Sequence, residues 1–159
     1  MNILLGFMLI ISCTFGLGIY LTNSSKKSLK NTKSILDLIK HIKRKIDFFN
    51  SPLDEIYESY KADDKDFDEF IKTIRHAGWS ETFTNGNRFQ LTAEVQQTLL
   101  EFGVELGKTN RNEQIILCNY CIEKLEKEYN EMQKNIPEKN KTTMALCLYG
   151  GVMIIILFI

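Results

Sequence analysis

Residues 115–136 read IILCNYCIEKLEKEYNEMQKNI. Within them Ile115, Cys118, Ile122, Leu125, Tyr129, Met132 and Ile136 recur at alternating spacings of three and four. That is the period of one helix face seated on a neighbour, sustained for too long to be a strand. The first half is apolar on other faces too, at Ile116, Leu117 and Tyr120, which predicts burial inside a bundle. The second half is charged outside the seam, with Glu123–Lys127 and Lys127–Glu131 one turn apart, which predicts a projecting stalk. Pro137 is expected to break it.

Working back from this helix, Asn110 with Glu113 three residues on makes a capping-box start. Gly107 stops the helix before it, which Thr92 caps and Val95, Leu99, Phe102 and Leu106 stripe. The two form an αα-hairpin. Residues 79–91 read as a loop with one helical turn, holding the lone Trp79 and an Asn85-Gly86 turn signal. Further back, Asp64 caps a helix striped by Phe67, Phe70, Ile71 and Ile74 and ended by Gly78. Before that lies a short helix with Leu53, Ile56, Tyr57 and Tyr60 inward, with Ser51 as N-cap and Pro52 at the first helical position. Ile35, Leu38, Ile39, Ile42, Ile46 and Phe49 mark the core face of the first helix, opposite Lys30, Lys33, Asp37, Lys40 and Arg44. No strand-like alternation runs far. The expected fold is all-α, a bundle of five to six helices over residues 24–141.

Outside the bundle the composition changes. The 20 basic and 20 acidic side chains all fall between residues 22 and 141, although the chain has 159 residues. Residues 3–21 are 19 without charge, and 142–159 are 18 without charge. As helices they would be about 28 and 27 Å long, close to a hydrocarbon core of roughly 30 Å. No basic segment precedes the first run and no small-x-small pattern closes it, which favours a retained anchor over a cleaved signal. Lys26, Lys27, Lys30 and Lys33 follow the first span, and Lys134, Lys139 and Lys141 precede the second. The positive-inside rule then places residues 24–141 in the cytoplasm and both ends outside. Ser12, Gly16 and the Gly150-Gly151 pair would let the spans approach each other.

Charge is also uneven within the bundle. Residues 26–45 hold eight bases and one acid, and residues 47–69 hold nine acids and two bases. Two readings stay open: the blocks attract each other, or each faces a different partner, anionic lipid headgroups being one partner for the basic block. A net charge of zero argues against nucleic-acid binding, which needs a basic excess.

The residues that could carry chemistry do not assemble a site. Cys118 and Cys121 form a C-x-x-C in mid-helix with no second pair for zinc, so they read as structural thiols. His41 and His76 lack a nucleophile at a catalytic spacing and read as helix-surface histidines. The acidic run 63–69 lacks the glycine and distal glutamate of a calcium loop. No glycine-rich phosphate loop occurs, so energy would have to come from another protein. The expectation is a non-enzyme with no catalytic residue, metal or cofactor.

The hairpin carries a resemblance. Residues 102–114, FGVELGKTNRNEQ, are similar to the L-G-x-x-L-G-x-x-D-x-x-x-Q turn of the stage III sporulation protein AB family. Phe102 stands for the first Leu and Asn110 for the Asp, each keeping the apolar or capping task. Gly103, Leu106, Gly107 and Gln114 match the turn's remaining fixed positions, with Lys108 and Arg111 between them. Ser51-Pro52-Leu53-Asp54-Glu55 resembles that family's T-P-L-x-E-A segment; Trp79 and the Tyr149-Gly150-Gly151 tail also fit. The resemblance implies a membrane protein of endospore-forming bacteria, in the mother-cell membrane around the forespore. It implies a part in the channel assembly that links the two cells, with a cytoplasmic domain similar to type II secretion and type IV pilus platform proteins. The implied partners are an ATPase, stage III sporulation protein AA, and other channel proteins, and a homo-oligomer is left open. A platform component of an ordinary secretion or pilus system is the alternative. The exposed turn, at Lys108, Arg111 and Asn112, is the expected docking surface.

Overall fold

A computed structural model describes residues 2–49, 51–62, 64–84 and 89–157; the side chains of 2–5, 7, 9, 84 and 157 are outside the description. The described residues are all-α. The helices are α1 (Asn2–Phe49), α2 (Leu53–Ser59), α3 (Lys65–Thr84), α4 (Ala93–Glu105) and α5 (Arg111–Leu157). Gly78 sits inside α3 at φ +80°, ψ 168° and splits it into two helical pieces, so the count of five to six holds on either reading. The Asn85-Gly86 turn lies outside the described residues.

The chain divides into two compact units: residues 28–131, and residues 1–27 with 132–159. The expected bundle limits, 24 and 141, therefore fall within the second of these. Both long helices run across the expected limits of the bundle. In α1, Ser25 Oγ donates back to the Leu21 carbonyl and no glycine or proline follows before Phe49. Helix α5 continues through Pro137, contrary to the expected break. The proline ring removes one amide and frees the carbonyl of residue 133, and that turn is exposed, so water can satisfy it.

In the unit of residues 28–131, α1 is the central element. Asn31, Thr32, Ile35, Leu36, Leu38, Ile39, Ile42 and Ile46 are all buried, an arc of roughly 160° at 100° per residue. That is wider than a single contact face. Phe49, expected in the seam, is 66 % exposed beneath the Lys45 ammonium, while Leu36, on the flank, is buried. The predicted stripes of α2, α3 and α4 close over α1: Ile56, Tyr57, Phe67, Phe70, Ile71, Ile74, Val95, Leu99 and Phe102 are buried.

Two caps are as read. Asp64 Oδ1 accepts from Phe67 N at 2.8 Å, and Thr92 Oγ1 from Val95 N at 3.3 Å. The third is not: the N-cap of α2 is Pro52 itself, extended at φ −65°, ψ 149°, with its carbonyl accepting from Ile56 N. Proline's fixed φ suits the extended cap as well as the first helical turn, so spacing alone could not separate the two.

The seam of α5 is rotated from the predicted one. Gln114, Cys118, Cys121 and Leu125 are the buried positions, whereas Ile115 and Ile122 sit half-buried at the edge. The expected all-round burial of the first half also fails: Ile116 is 66 % and Tyr120 48 % exposed. The two cysteines, not the larger isoleucines, take the innermost line.

The basic and acidic blocks meet at Lys30–Asp64, 2.6 Å. Lys40, however, pairs with Glu126 of α5 at 2.6 Å, and the acids Asp54 and Glu58 hold Arg75 of α3. Such exposed pairs contribute about 0–1 kcal/mol each.

In the other unit, the two chain ends pack antiparallel through glycine. A Cβ on Gly18 would stand 3.0 Å from Met144 Sδ, and one on Gly151 2.8 Å from Thr14 Oγ1. Of the expected small residues Gly151 lies in the contact, whereas Gly16 and Gly150 face open space and Ser12 is exposed. Among the described residues no helix is long and apolar enough to cross a membrane. The charge-free stretches of 3–21 and 142–159 extend into residues outside that description.

Candidate interaction site

The turn between α4 and α5 is built from the inside. Leu106 N donates to the Phe102 carbonyl at 2.9 Å, and Gly107 turns the chain at φ +84°, where a β-carbon is disfavoured. Asn110 then starts α5: its Oδ1 accepts from Glu113 N at 3.1 Å and its carbonyl from Gln114 N at 2.9 Å. Gln114, the next residue, holds the preceding turn in place. This buried side chain accepts from Gly107 N at 3.0 Å and donates to the Glu105 carbonyl at 3.2 Å and Thr109 Oγ1 at 2.7 Å. One amide thus satisfies both strands of the turn, using donor and acceptor ends at once.

Four of the eight predicted residues, Phe102, Gly103, Leu106 and Gln114, lie inward; Gly107, Lys108, Asn110 and Arg111 are exposed. Gly103 is where α4 touches Trp79. A β-carbon there would fall 2.1 Å from Trp79 Cβ. The indole, 4 % exposed, stands edge-on to Phe102 with centroids 5.4 Å apart and donates from Nε1 to Tyr57 Oη at 2.9 Å. Burial pushes the Tyr57 phenol up to about 12. The lone tryptophan and a glycine in mid-helix were each visible signals, but only the fold pairs them. Leu53, 2.9 Å from a β-carbon on Gly107, fills the same role beneath the turn.

Arg111 is exposed but engaged. Its Nε donates to the Ile46 carbonyl at 3.2 Å, its Nη2 to the Asp47 carbonyl, and it pairs with the Asp47 carboxylate at 3.1 Å. It therefore holds the last carbonyls of α1, where a cation is favoured by the helix dipole. Lys108 and Asn112 remain as the outward polar groups of the turn.

Elsewhere, Cys118 and Cys121 are free thiols, buried, and pushed up to about 12 by that burial. His41 bonds Ser59 Oγ and Arg44 and is held below the usual imidazole range, first by burial, then by Arg44 and Lys45. His76 is exposed. Among the described residues no three His, Cys, Asp or Glu side chains converge as a metal would require.

These features define a class: an all-α protein with a helical bundle whose αα-turn is stapled by a buried glutamine, and with apolar helical ends packed on each other. Over residues 3–159 the chain matches the family described as stage III sporulation protein AB. It belongs to that family, and its role lies in sporulation. No curated protein and no solved structure matches it.

Proposed function

We propose that the chain is a non-enzymatic membrane platform of the sporulation apparatus. Its apolar ends lie in the mother-cell membrane around the forespore, with the charged bundle in the cytoplasm and the chain termini outside. The bundle couples a cytoplasmic secretion-type ATPase, stage III sporulation protein AA, to the channel between the two cells. The observation that carries this reading is the inverted packing of the ends. Gly18 and Gly151 are turned to the helix contact, while Met8, Phe15, Leu146, Tyr149 and Met153 point outward, from 45 to 72 % exposed. A helix pair in water buries its large apolar groups; a pair in hydrocarbon packs through small ones. The lysines beside both ends orient the bundle inward.

The test has two arms. A single reporter cysteine at Lys108 should react with an impermeant maleimide only after the mother-cell membrane is opened; labelling from outside would refute the topology. Lys108→Glu with Asn112→Glu should leave folding within about 0.5 kcal/mol of wild type, as exposed substitutions usually do. It should lower co-purification with the ATPase at low salt. Wild-type yield would move the contact off this turn. Arg111 is unsuitable for that test, because reversing it would set a carboxylate against Asp47 and uncap α1.

A further inference from the structure

Five lysines gather where the apolar ends pass into polar sequence: Lys26 and Lys27 of α1, and Lys134, Lys139 and Lys141 of α5. All belong to the unit of residues 1–27 and 132–159, in which Glu138 is the only acid. The antiparallel packing of the two helices brings them to one height. Gly18 lies against Met144 and Cys147, and Gly151 against Thr14, so facing residue numbers sum to about 162–165. Lys26 therefore stands level with roughly residues 136–139, among the lysines of α5. Lys26, Lys134, Lys139 and Lys141 are exposed and form no ion pair among the described residues. In the other unit Lys30 and Lys40 each hold an acid at 2.6 Å. Two bases of the block thus meet acids in the bundle, whereas Lys26 joins a collar of unpaired cations.

We infer that this collar binds anionic phospholipid headgroups in preference to zwitterionic ones. The inference rests on the placement of the apolar ends in a membrane and adds the class of lipid around them. The charge-free runs stop at Leu21 and start at Thr142. At 1.5 Å per residue, Lys26, Lys139 and Lys141 lie within about 8 Å of those limits. The headgroup layer is roughly 5–8 Å deep on each side of the hydrocarbon, so these ammonium groups fall at the height of the lipid phosphates. Lys134 lies about 12 Å out, and its long stem lets the ammonium reach back toward the same layer. A neutral headgroup carries its own cation beside the phosphate and gains little from the collar. An anionic one supplies the countercharge that the protein itself withholds, since Glu138 alone stands against five lysines.

The full chain, reconstituted in phosphatidylcholine bilayers with a trace of spin-labelled lipid, tests this. Lipid held beside the helices gives an immobilised spectral component. Its size for labelled phosphatidylglycerol, against labelled phosphatidylcholine, measures the preference. Phosphatidylglycerol should be favoured at least about fivefold at low salt, which is what one lysine near an anionic surface supplies. High salt should shrink the preference by screening. Lys26→Gln, Lys134→Gln, Lys139→Gln and Lys141→Gln together should remove most of it, and arginine at the same four positions should keep it. Glu138→Gln should raise it, and Lys30→Gln with Lys40→Gln should leave it unchanged. Equal affinity for the two lipids at low salt would overturn the inference and leave the collar to an acidic protein. Wild-type preference in the four-glutamine chain would overturn it as well, as would an equal loss from the Lys30 and Lys40 pair. No immobilised component from either lipid would mean that the ends are not in the bilayer, and would overturn the platform reading with it.

Discussion

Gly103→Ala tests the tightest joint of the bundle. The new methyl would stand 2.7 Å from Trp79 Cγ and 2.1 Å from its Cβ, an atom fixed to the backbone that no rotamer can move away. Trp79 follows directly on the Gly78 kink, so relief requires shifting the second piece of α3. Overpacking of this kind costs about 1–3 kcal/mol. Losing the Trp79 Nε1–H to Tyr57 Oη bond leaves buried polar groups unpaired, a further ~1–3 kcal/mol. Against this, alanine gains about 0.5–1 kcal/mol over glycine in a helix interior. The net expectation is a loss of roughly 2–4 kcal/mol, or about 5–15 °C in melting temperature for a chain of this size. Trp79 is the sole tryptophan and reports the same event, its emission shifting red as the indole is driven from its pocket. Unchanged melting with unchanged emission would refute the close contact, and a rise in melting temperature would mean that helix propensity outweighs it.

The turn and the buried thiols offer further measurements. Gly107→Val should cost more than about 1 kcal/mol in thermal unfolding, since φ is +84° and the β-carbon meets Leu53 Cδ1 at 2.9 Å. Gln114→Glu keeps the acceptor for Gly107 N but loses the donors to Glu105 and Thr109, so it should destabilise by about 1–3 kcal/mol, and Gln114→Leu by at least as much. Cys118 and Cys121 should resist thiol reagents in the native state and react on unfolding. Their folded-state pKa values are raised from 9.0 to about 12, so the native state holds protons that the unfolded chain releases. Stability from these thiols is full below about pH 9 and falls as pH rises toward 12. Cys118→Ala with Cys121→Ala should flatten that part of a pH–stability curve, and an unaltered slope would assign it to other groups such as Tyr57.

Much of the architecture is legible in periodicity, because an amphipathic helix announces its core face at three- and four-residue spacing. The stripes of α2, α3 and α4, the Asp64, Thr92 and Asn110 caps, and the positive φ of Gly107 all follow from local rules about which groups a helix end leaves unsatisfied. The all-α class and the charge-free ends are likewise properties of the chain itself. The tertiary structure decided what local rules leave degenerate. The α5 stripe of Ile115, Cys118, Ile122 and Leu125 competes with that of Gln114, Cys118, Cys121 and Leu125, and only the packed bundle selects the second. Phe49 falls on the α1 stripe, at the helix's last residue, yet is exposed. Gln114, Arg111 and Gly103 look alike in sequence as members of one turn. Their tasks differ: Gln114 staples partners within nine residues, whereas Arg111 caps a helix end 64 and 65 positions away and Gly103 seats Trp79 from 24 away, and spacing along the chain carries no record of those distant contacts.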